Sequence, residues 1–276
     1  MADKNEMTFW DHLDDLRGTL LRIAAVYIVV CIAAFAAMPR IFDEVIMAPC
    51  SGTFPLYSLF NSLAEKAGDL FGDFSTAPDF HVNVVSLELT SQFFTHMSAT
   101  CWLSLVVCFP VIIYFLWSFI SPGLYEHEKR GIRKAFVFGN LMFYLGVATG
   151  YFLVFPLAVR FLAEYRLSEH IEAVVSLDSY MDNFFTLILL MGAVFELPLL
   201  AWLLGKMGFL TRTFFARYRR HAIVALLIAA GLITPTGDPF TLFAVFIPIY
   251  ALWEFSARLV PPQSSTESQP QTDTSS

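Results

Sequence analysis

Charge is what this 276-residue chain has least of. Only 15% of its positions are Asp, Glu, Lys or Arg, while 57% are hydrophobic and the mean hydropathy is +0.61. Soluble domains carry about a quarter charged residues, so a water-soluble globule is excluded and the chain reads as a polytopic membrane protein. It also lacks a basic stripe: with a net charge of −7 and a pI near 5.3 it cannot neutralise a run of phosphates, which excludes nucleic acid as a partner. Cysteine is scarce. Of the four, Cys31, Cys101 and Cys108 fall inside apolar runs and Cys50 lies outside them, so their spacing suits neither a disulfide framework nor a metal site. They read as small buried hydrophobes. No glycine loop able to cradle a phosphate is present, and His127-Glu128-Lys129-Arg130-Gly131 opens like H-E-x-x-H but ends in Gly. No Ser/His pair or paired Asp sits at bilayer depth either, so neither catalysis nor a cofactor or metal is expected. The first 19 residues carry five acids against Lys4 and Arg17. That is the wrong charge for the start of a cleavable signal peptide, and the segment is expected to be retained.

What the chain does have is long apolar runs. Residues 20–38, 93–120, 135–157 and 183–204 are each able to cross a bilayer as a helix. Two shorter runs, 222–234 and 240–255, would give roughly 20 and 24 Å of helix against a hydrocarbon core of about 30 Å. The turn Thr234-Pro235-Thr236-Gly237-Asp238-Pro239 joins them. They predict a helical hairpin whose tip lies below the membrane surface, beneath thinned bilayer or a water-filled hollow. The expected fold is an all-α integral membrane protein with six spans, the last two short. Pro110 is expected to kink the second span.

Residues 1–19 predict an amphipathic surface helix that continues into the first span. Thr8 and Asp11 have capping-box spacing, Leu13, Leu16 and Leu20 recur on one face, and Phe9 and Trp10 suit the headgroup layer. The connection 39–92 is long and holds Leu56, Leu59, Phe60, Leu63, Ala67, Leu70 and Phe71 at helical spacing, which predicts an amphipathic helix on the membrane surface. Residues 259–276 are polar and aperiodic and read as a disordered tail. Of the 17 Lys and Arg residues, thirteen fall in the N-terminal segment, the connections 121–134 and 205–221, and Arg258, and the other four, Arg40, Lys66, Arg160 and Arg166, on the opposite side. Both termini are therefore expected in the cytosol.

Few acids break this pattern. Residues 121–130 form a polar connection pinned at the cytosolic surface, and within it Glu126 and Glu128 accompany Lys129 and Arg130. On the N-terminal helix Asp14 and Arg17 are i,i+3 neighbours and Asp11 and Asp15 are i,i+4 neighbours, which reads either as a solvated face with a weak ion pair or as half of a binding site. Glu196, in Phe195-Glu196-Leu197-Pro198, lies well inside a span. It reads either as a polar site facing a cavity or as a protonated side chain serving helix carbonyls freed by Pro198. Glu254, at the end of the last run, reads as a structural or snorkelling residue.

In order and spacing these pieces resemble the TatC family, six-span receptors of the twin-arginine protein translocation system of the bacterial cytoplasmic (inner) membrane. The matching residues are His12-Leu13-Asp14-Asp15-Leu16-Arg17, Ala48-Pro49, Pro110 through Phe119, and Pro122-Gly123-Leu124-Tyr125-x-x-Glu128-Lys129-Arg130. Phe195-Glu196-Leu197-Pro198, Thr234-Pro235, Asp238-Pro239 and Ile247-Pro248 through Trp253-Glu254 complete the series. The resemblance implies a concave, bowl- or glove-shaped bundle. It also implies binding of signal peptides with consecutive arginines, and a multimeric complex with single-span TatA-like and TatB-like subunits. A carboxylate accepts the planar fork of Arg bidentately, a geometry Lys cannot copy. Glu128 and Asp15 are expected to take one arginine each, Arg17 to orient the N-terminal helix, and Glu126 to balance its basic neighbours. Glu196 is the implied intramembrane polar site. Pro49, Pro122, Tyr125, Thr234, Pro235, Asp238 and Glu254 carry over as structural or partner-docking positions. The chain departs from the family pattern at Asp15, where Glu is usual, at Leu242, where a polar Gln is usual, and in the length of 39–92.

A secondary transporter with Glu196 as proton carrier is the competing reading. The two halves show no internal repeat, and no second acid or base lies near mid-span.

Overall fold

The computed structural model describes residues 9–58, 81–120, 126–164, 174–206, 208–234 and 238–260. Helix α1 (Phe9–Ile41) runs unbroken from the predicted surface segment through the first span. A π-helical turn (Phe42–Ile46) and a 3-10 turn (Ala48–Cys50) end it. Helix α2 (Ser91–Ile120) returns along α1. Helix α3 (Glu126–Thr149) passes through a second π-helical turn (Gly150–Val154) into α4 (Phe155–Glu164). Helices α5 (Leu177–Val194) and α6 (Leu197–Lys206) share one span with a break between them. Helix α7 (Arg212–Arg217) is a short surface turn, and α8 (Arg219–Ile233) and α9 (Pro239–Leu259) form the terminal hairpin. Among the described residues, Leu13–Cys50, Ser91–Leu116, Phe136–Ala163, Leu177–Lys206 and Thr241–Leu259 are long and apolar enough to cross a membrane. The sixth apolar helix, α8, has 15 residues.

The helices outrun the apolar runs that announce them. Glu126 begins α3, inside the stretch expected as a connection. The third crossing continues to Glu164 rather than 157, and the fourth begins at Leu177 rather than 183, where the Ser176 side chain accepts from Ser179 N at 3.3 Å. The last helix likewise extends to Leu259, beyond the run ending at 255. The reason is general: hydropathy marks the depth of the bilayer, whereas a helix continues into water until a cap or a breaker stops it. The predicted surface helix within 39–92 lies mostly outside the described residues, as do Pro122, Tyr125, Pro235 and the tail from 261.

Helices α3 and α5 pack closely because glycine lets them. A Cβ on Gly146 would lie 2.5 Å from the Met191 carbonyl oxygen and 2.7 Å from Phe195 Cβ, and one on Gly150 would lie 2.9 Å from Ile188 Cα. Opposite them, a Cβ on Gly192 would lie 2.8 Å from the Phe143 ring. Close backbone approach of this kind is the main source of helix association in lipid, which gives no hydrophobic drive between spans. The same helices continue into a core of Phe155, Tyr180, Phe184, Leu187 and Met191 at the end of the bundle that carries the 39–92 connection.

That end is also fastened by polar groups. Val84 and Val85 pair in parallel with Val175 and Ser176. The Ser91 hydroxyl donates to Asp178 at 2.7 Å, and the Tyr57 hydroxyl lies 3.0 Å from the carbonyls of both Pro49 and Pro156.

Prolines inside spans leave carbonyls without their helical donors, and at Pro39 and Pro110 aromatic side chains on a neighbouring helix fill the gap. Pro39 has no N–H for the Phe35 carbonyl, and His96 Nε2 lies 3.1 Å from it with its ring stacked on Phe35. Pro110 likewise strands the Val106 carbonyl, to which the Tyr144 hydroxyl donates at 3.2 Å. In the first π-helical turn the Val45 carbonyl accepts from Tyr151 at 2.9 Å and the Ile46 carbonyl from Tyr180 at 2.6 Å. Irregular backbone at membrane depth persists only where such partners exist.

Candidate functional site

The end of the bundle carrying the N-terminus holds the acids singled out in the sequence. Asp14, Asp15 and Arg17 are exposed on the first turns of α1. Glu126 and Glu128 are the first and third residues of α3, where an acid complements the positive end of the helix dipole. Their side chains lie outside the described residues. Helices α1 and α3 both pack against α2, and the Asp15 and Glu128 ends lie on one side of the bundle.

Glu196 sits in the break between α5 and α6. Phe195 N bonds to the Met191 carbonyl and Glu196 N to the Ala193 carbonyl, which tightens the chain, and Pro198 gives the Val194 carbonyl no N–H. The carboxyl group is turned toward α3: its Oε2 would lie 3.2 Å from a Cβ on Gly139. Its Oε1 is buried, with no hydrogen-bond partner among the described residues, and so is Asn140 Oδ1 on the adjoining turn of α3. The Asn140 amide is used locally, donating to the Phe136 carbonyl at 2.9 Å. A carboxyl oxygen within a span and without a donor is costly.

Glu254 is engaged instead. Its Oε1 accepts from Arg219 Nε at 2.6 Å and from the Tyr250 hydroxyl at 3.0 Å, which ties the start of α8 to the end of α9. Arg212 closes the same corner by donating to the carbonyls of Val260, at 2.8 Å, and Arg258, at 2.9 Å, the otherwise orphaned end of α9. Phe215 packs on Trp253 beneath them, with ring centroids 4.7 Å apart. Sequence reasoning missed Arg219, Tyr250 and Arg212. The available signal was one acid at a membrane end crowded with cations, with Tyr250 one turn before it.

The remaining carried-over positions lie at the opposite end. Pro49 is fully buried under Tyr57. Thr234 is buried where α8 ends, and its N–H bonds to the Ala230 carbonyl at 2.9 Å. Asp238 caps α9 by accepting from Thr241 N at 2.7 Å. Leu242 is partly buried against the core, over Gly231, and so packs within the hairpin.

Long apolar helices, carbonyls freed by Pro39 and Pro110 served at bilayer depth, and cations gathered at one end define a multi-pass helical membrane protein. The sequence model described as "Sec-independent protein translocase protein (TatC)" matches residues 11–248. The TatC of Blattabacterium sp. subsp. Periplaneta americana is 31% identical over 92% of this chain and 95% of its own length. That of Escherichia coli K12 is 35% identical over 62% and 66% respectively. A crystal structure titled as the twin-arginine translocase receptor TatC superposes with a TM-score of 0.62 at 26% identity, covering 90% of this chain and 97% of that one. The chain belongs to the TatC family. It is a component of the Sec-independent protein translocase, and its work is transport rather than catalysis.

Proposed function

We infer that the chain is the receptor of its translocase, binding the signal peptides of folded precursors through the two consecutive arginines of their n-regions. Glu128 takes one guanidinium and Asp15 the other, at the cytosolic surface of a bacterial inner membrane. The observation that supports this most is the grouping of exposed acid on α1 and acid at the N-terminus of α3 on one side of the bundle, an otherwise cation-rich side. That charge distribution also supports cytosolic termini. Arg17 orients the helix that presents Asp15, and Glu126 balances Lys129 and Arg130. Residues 1–19 serve as the surface helix of the receptor and 259–276 as a cytosolic tail.

Glu196 acts after recognition. Its Oε1, without a hydrogen-bond partner among the described residues, would accept, or its proton would supply, a hydrogen bond to a signal hairpin or to a TatA-like or TatB-like single-span subunit. Thr234, Pro235, Asp238, Pro49, Pro122, Tyr125 and Glu254 shape the ends of the spans against which such subunits pack.

Charge-assisted hydrogen bonds of this type are worth about 1.5–3 kcal/mol each. Glu128→Ala and Asp15→Ala should therefore each weaken binding of an Arg-Arg signal peptide by roughly ten- to a hundredfold. Binding of a Lys-Lys peptide should hardly change. Equal affinities for wild type and both variants, measured on purified protein by titration with labelled peptide, would remove the recognition site from these residues. Glu196→Gln should leave peptide binding intact and abolish export of a folded reporter. Undiminished export would show that the intramembrane acid is dispensable.

A further inference from the structure

The corner where the end of α6, α7, the start of α8 and the end of α9 meet is charged with one sign, in a chain whose net charge is −7. Residues 199–260 carry Lys206, Arg212, Arg217, Arg219, Arg220 and Arg258, and their only acids are Asp238 and Glu254. Asp238 caps the far end of α9, and Glu254 is taken by Arg219. Arg212 is spent on the Val260 and Arg258 carbonyls. Lys206, Arg217, Arg220 and Arg258 are exposed and make no ion pair among the described residues. Arg220 stands in the first turn of α8, where a positive charge opposes the helix dipole, so it does not serve the helix. Aromatic rings lie among these cations. Lys206 Nζ is 5.7 Å from the centre of the Trp202 ring, and Phe209 is 72% exposed. Phe214 and Tyr218 are exposed too, with ring centroids 4.8 Å apart, and Arg217 follows Phe214 by three residues and so falls on their side of the turn. Beneath them Phe215 is buried with Ala201 and Val260, which fixes the frame that presents the charges.

We propose that this corner is a binding surface for the anionic headgroups of phospholipids in the membrane that the protein spans. Charge selects the class of ligand, because guanidinium and ammonium groups without an acid partner are suited to phosphate, which Arg binds bidentately. Depth selects the source. The crossing Thr241–Leu259 ends beside Arg258, and Arg219 at the start of α8 is bonded to Glu254 on that crossing, so the free cations lie at the level of the headgroups. Cations at that level are drawn to an anionic leaflet. The exposed rings fit the same place, since aromatic side chains gather at the membrane interface. A surface kept for a soluble acidic protein would leave Phe209, Phe214 and Tyr218 in water whenever it was empty. The arginines of a signal peptide are repelled here, so the surface is separate from Asp15 and Glu128 and does not depend on their assignment.

The test is titration of the full chain, purified in a neutral detergent, with phosphatidylglycerol or with phosphatidylcholine of the same acyl chains, counting bound lipid by native mass spectrometry. Phosphatidylglycerol should bind about tenfold more tightly. Combining Lys206→Gln, Arg217→Gln and Arg220→Gln, all at exposed positions, should bring the two lipids to within about twofold of each other. The charge-keeping set Lys206→Arg, Arg217→Lys and Arg220→Lys should retain the preference, as should Arg40→Gln, which removes an exposed cation at the opposite end. Equal binding of both lipids by the wild type overturns the proposal, and this arm needs no variant to fold. A preference that survives in the folded glutamine variant also overturns it, as does one that soluble glycerol 1-phosphate abolishes, which would mark a site for free phosphate. A benzoylphenylalanine at position 213 that in native membranes captures an acidic protein and no lipid would overturn it as well.

Discussion

At Pro39 and Pro110 an aromatic residue on a neighbouring helix has taken over the job of a lost N–H. The Pro110, Val106 and Tyr144 set is the clearest case: the hydroxyl proton of Tyr144 is aimed at the one carbonyl in α2 that the helix cannot serve. Tyr144→Phe should destabilise the protein by about 1 kcal/mol, the usual worth of a hydrogen bond between spans. In a Pro110→Ala background, where residue 110 regains its N–H, the same change should cost almost nothing. A double-mutant cycle on thermal unfolding in detergent measures that difference, and additive costs would show that the tyrosine serves something else. Glu196 is the contrasting residue. Its Oε1 has no such partner among the described residues.

At the scale of elements, the α3–α5 contact carries the bundle. Gly146 meets the Met191 carbonyl and Phe195 at distances no Cβ can occupy, so Gly146→Leu must push the helices apart. It should lower the unfolding midpoint by several degrees, as overpacking costs about 1–3 kcal/mol. Gly18→Leu, in open space on α1, should not. An unchanged midpoint for Gly146→Leu would mean that α3 and α5 are held by other contacts. The elements themselves were largely legible in the sequence. Apolar length announced each crossing, and the 234–239 turn announced the terminal hairpin, whereas the break between α5 and α6 at Phe195-Glu196 falls inside a run read as one span. Helix ends were less legible, because Glu126, Leu177 and Leu259 lie beyond the apolar runs and only caps and solvent decide them. The aromatic-to-carbonyl bonds were illegible, since nothing local to Tyr144 or His96 names a proline 34 or 57 positions away.

For the whole molecule, topology brings together what sequence separates. Asp15 and Glu128 lie more than a hundred positions apart, yet α1 and α3 both lie against α2 and start on the same side of the membrane. The far end is closed by strand pairing and tyrosine bonds, and the near end of the last hairpin by Arg212, Arg219 and Glu254. Such a frame is fastened at both ends and carries one buried carboxyl oxygen at mid-span. Family membership followed from dispersed motifs in the right order. The roles of individual residues needed the helix ends and partners, which redefined Glu126 and Glu128 as first-turn residues of α3 and Glu254 as a fastening between helices.

The most direct measurement is photocrosslinking from a benzoylphenylalanine at position 127, beside Glu128, in the membrane-embedded protein. Two precursors are compared, identical except for Arg-Arg or Lys-Lys in the signal n-region. The expected result is a crosslink to the Arg-Arg precursor that is lost with Lys-Lys. A crosslink of equal strength to both precursors, or to neither while the protein is folded in the membrane, would contradict recognition of paired arginines at the start of α3.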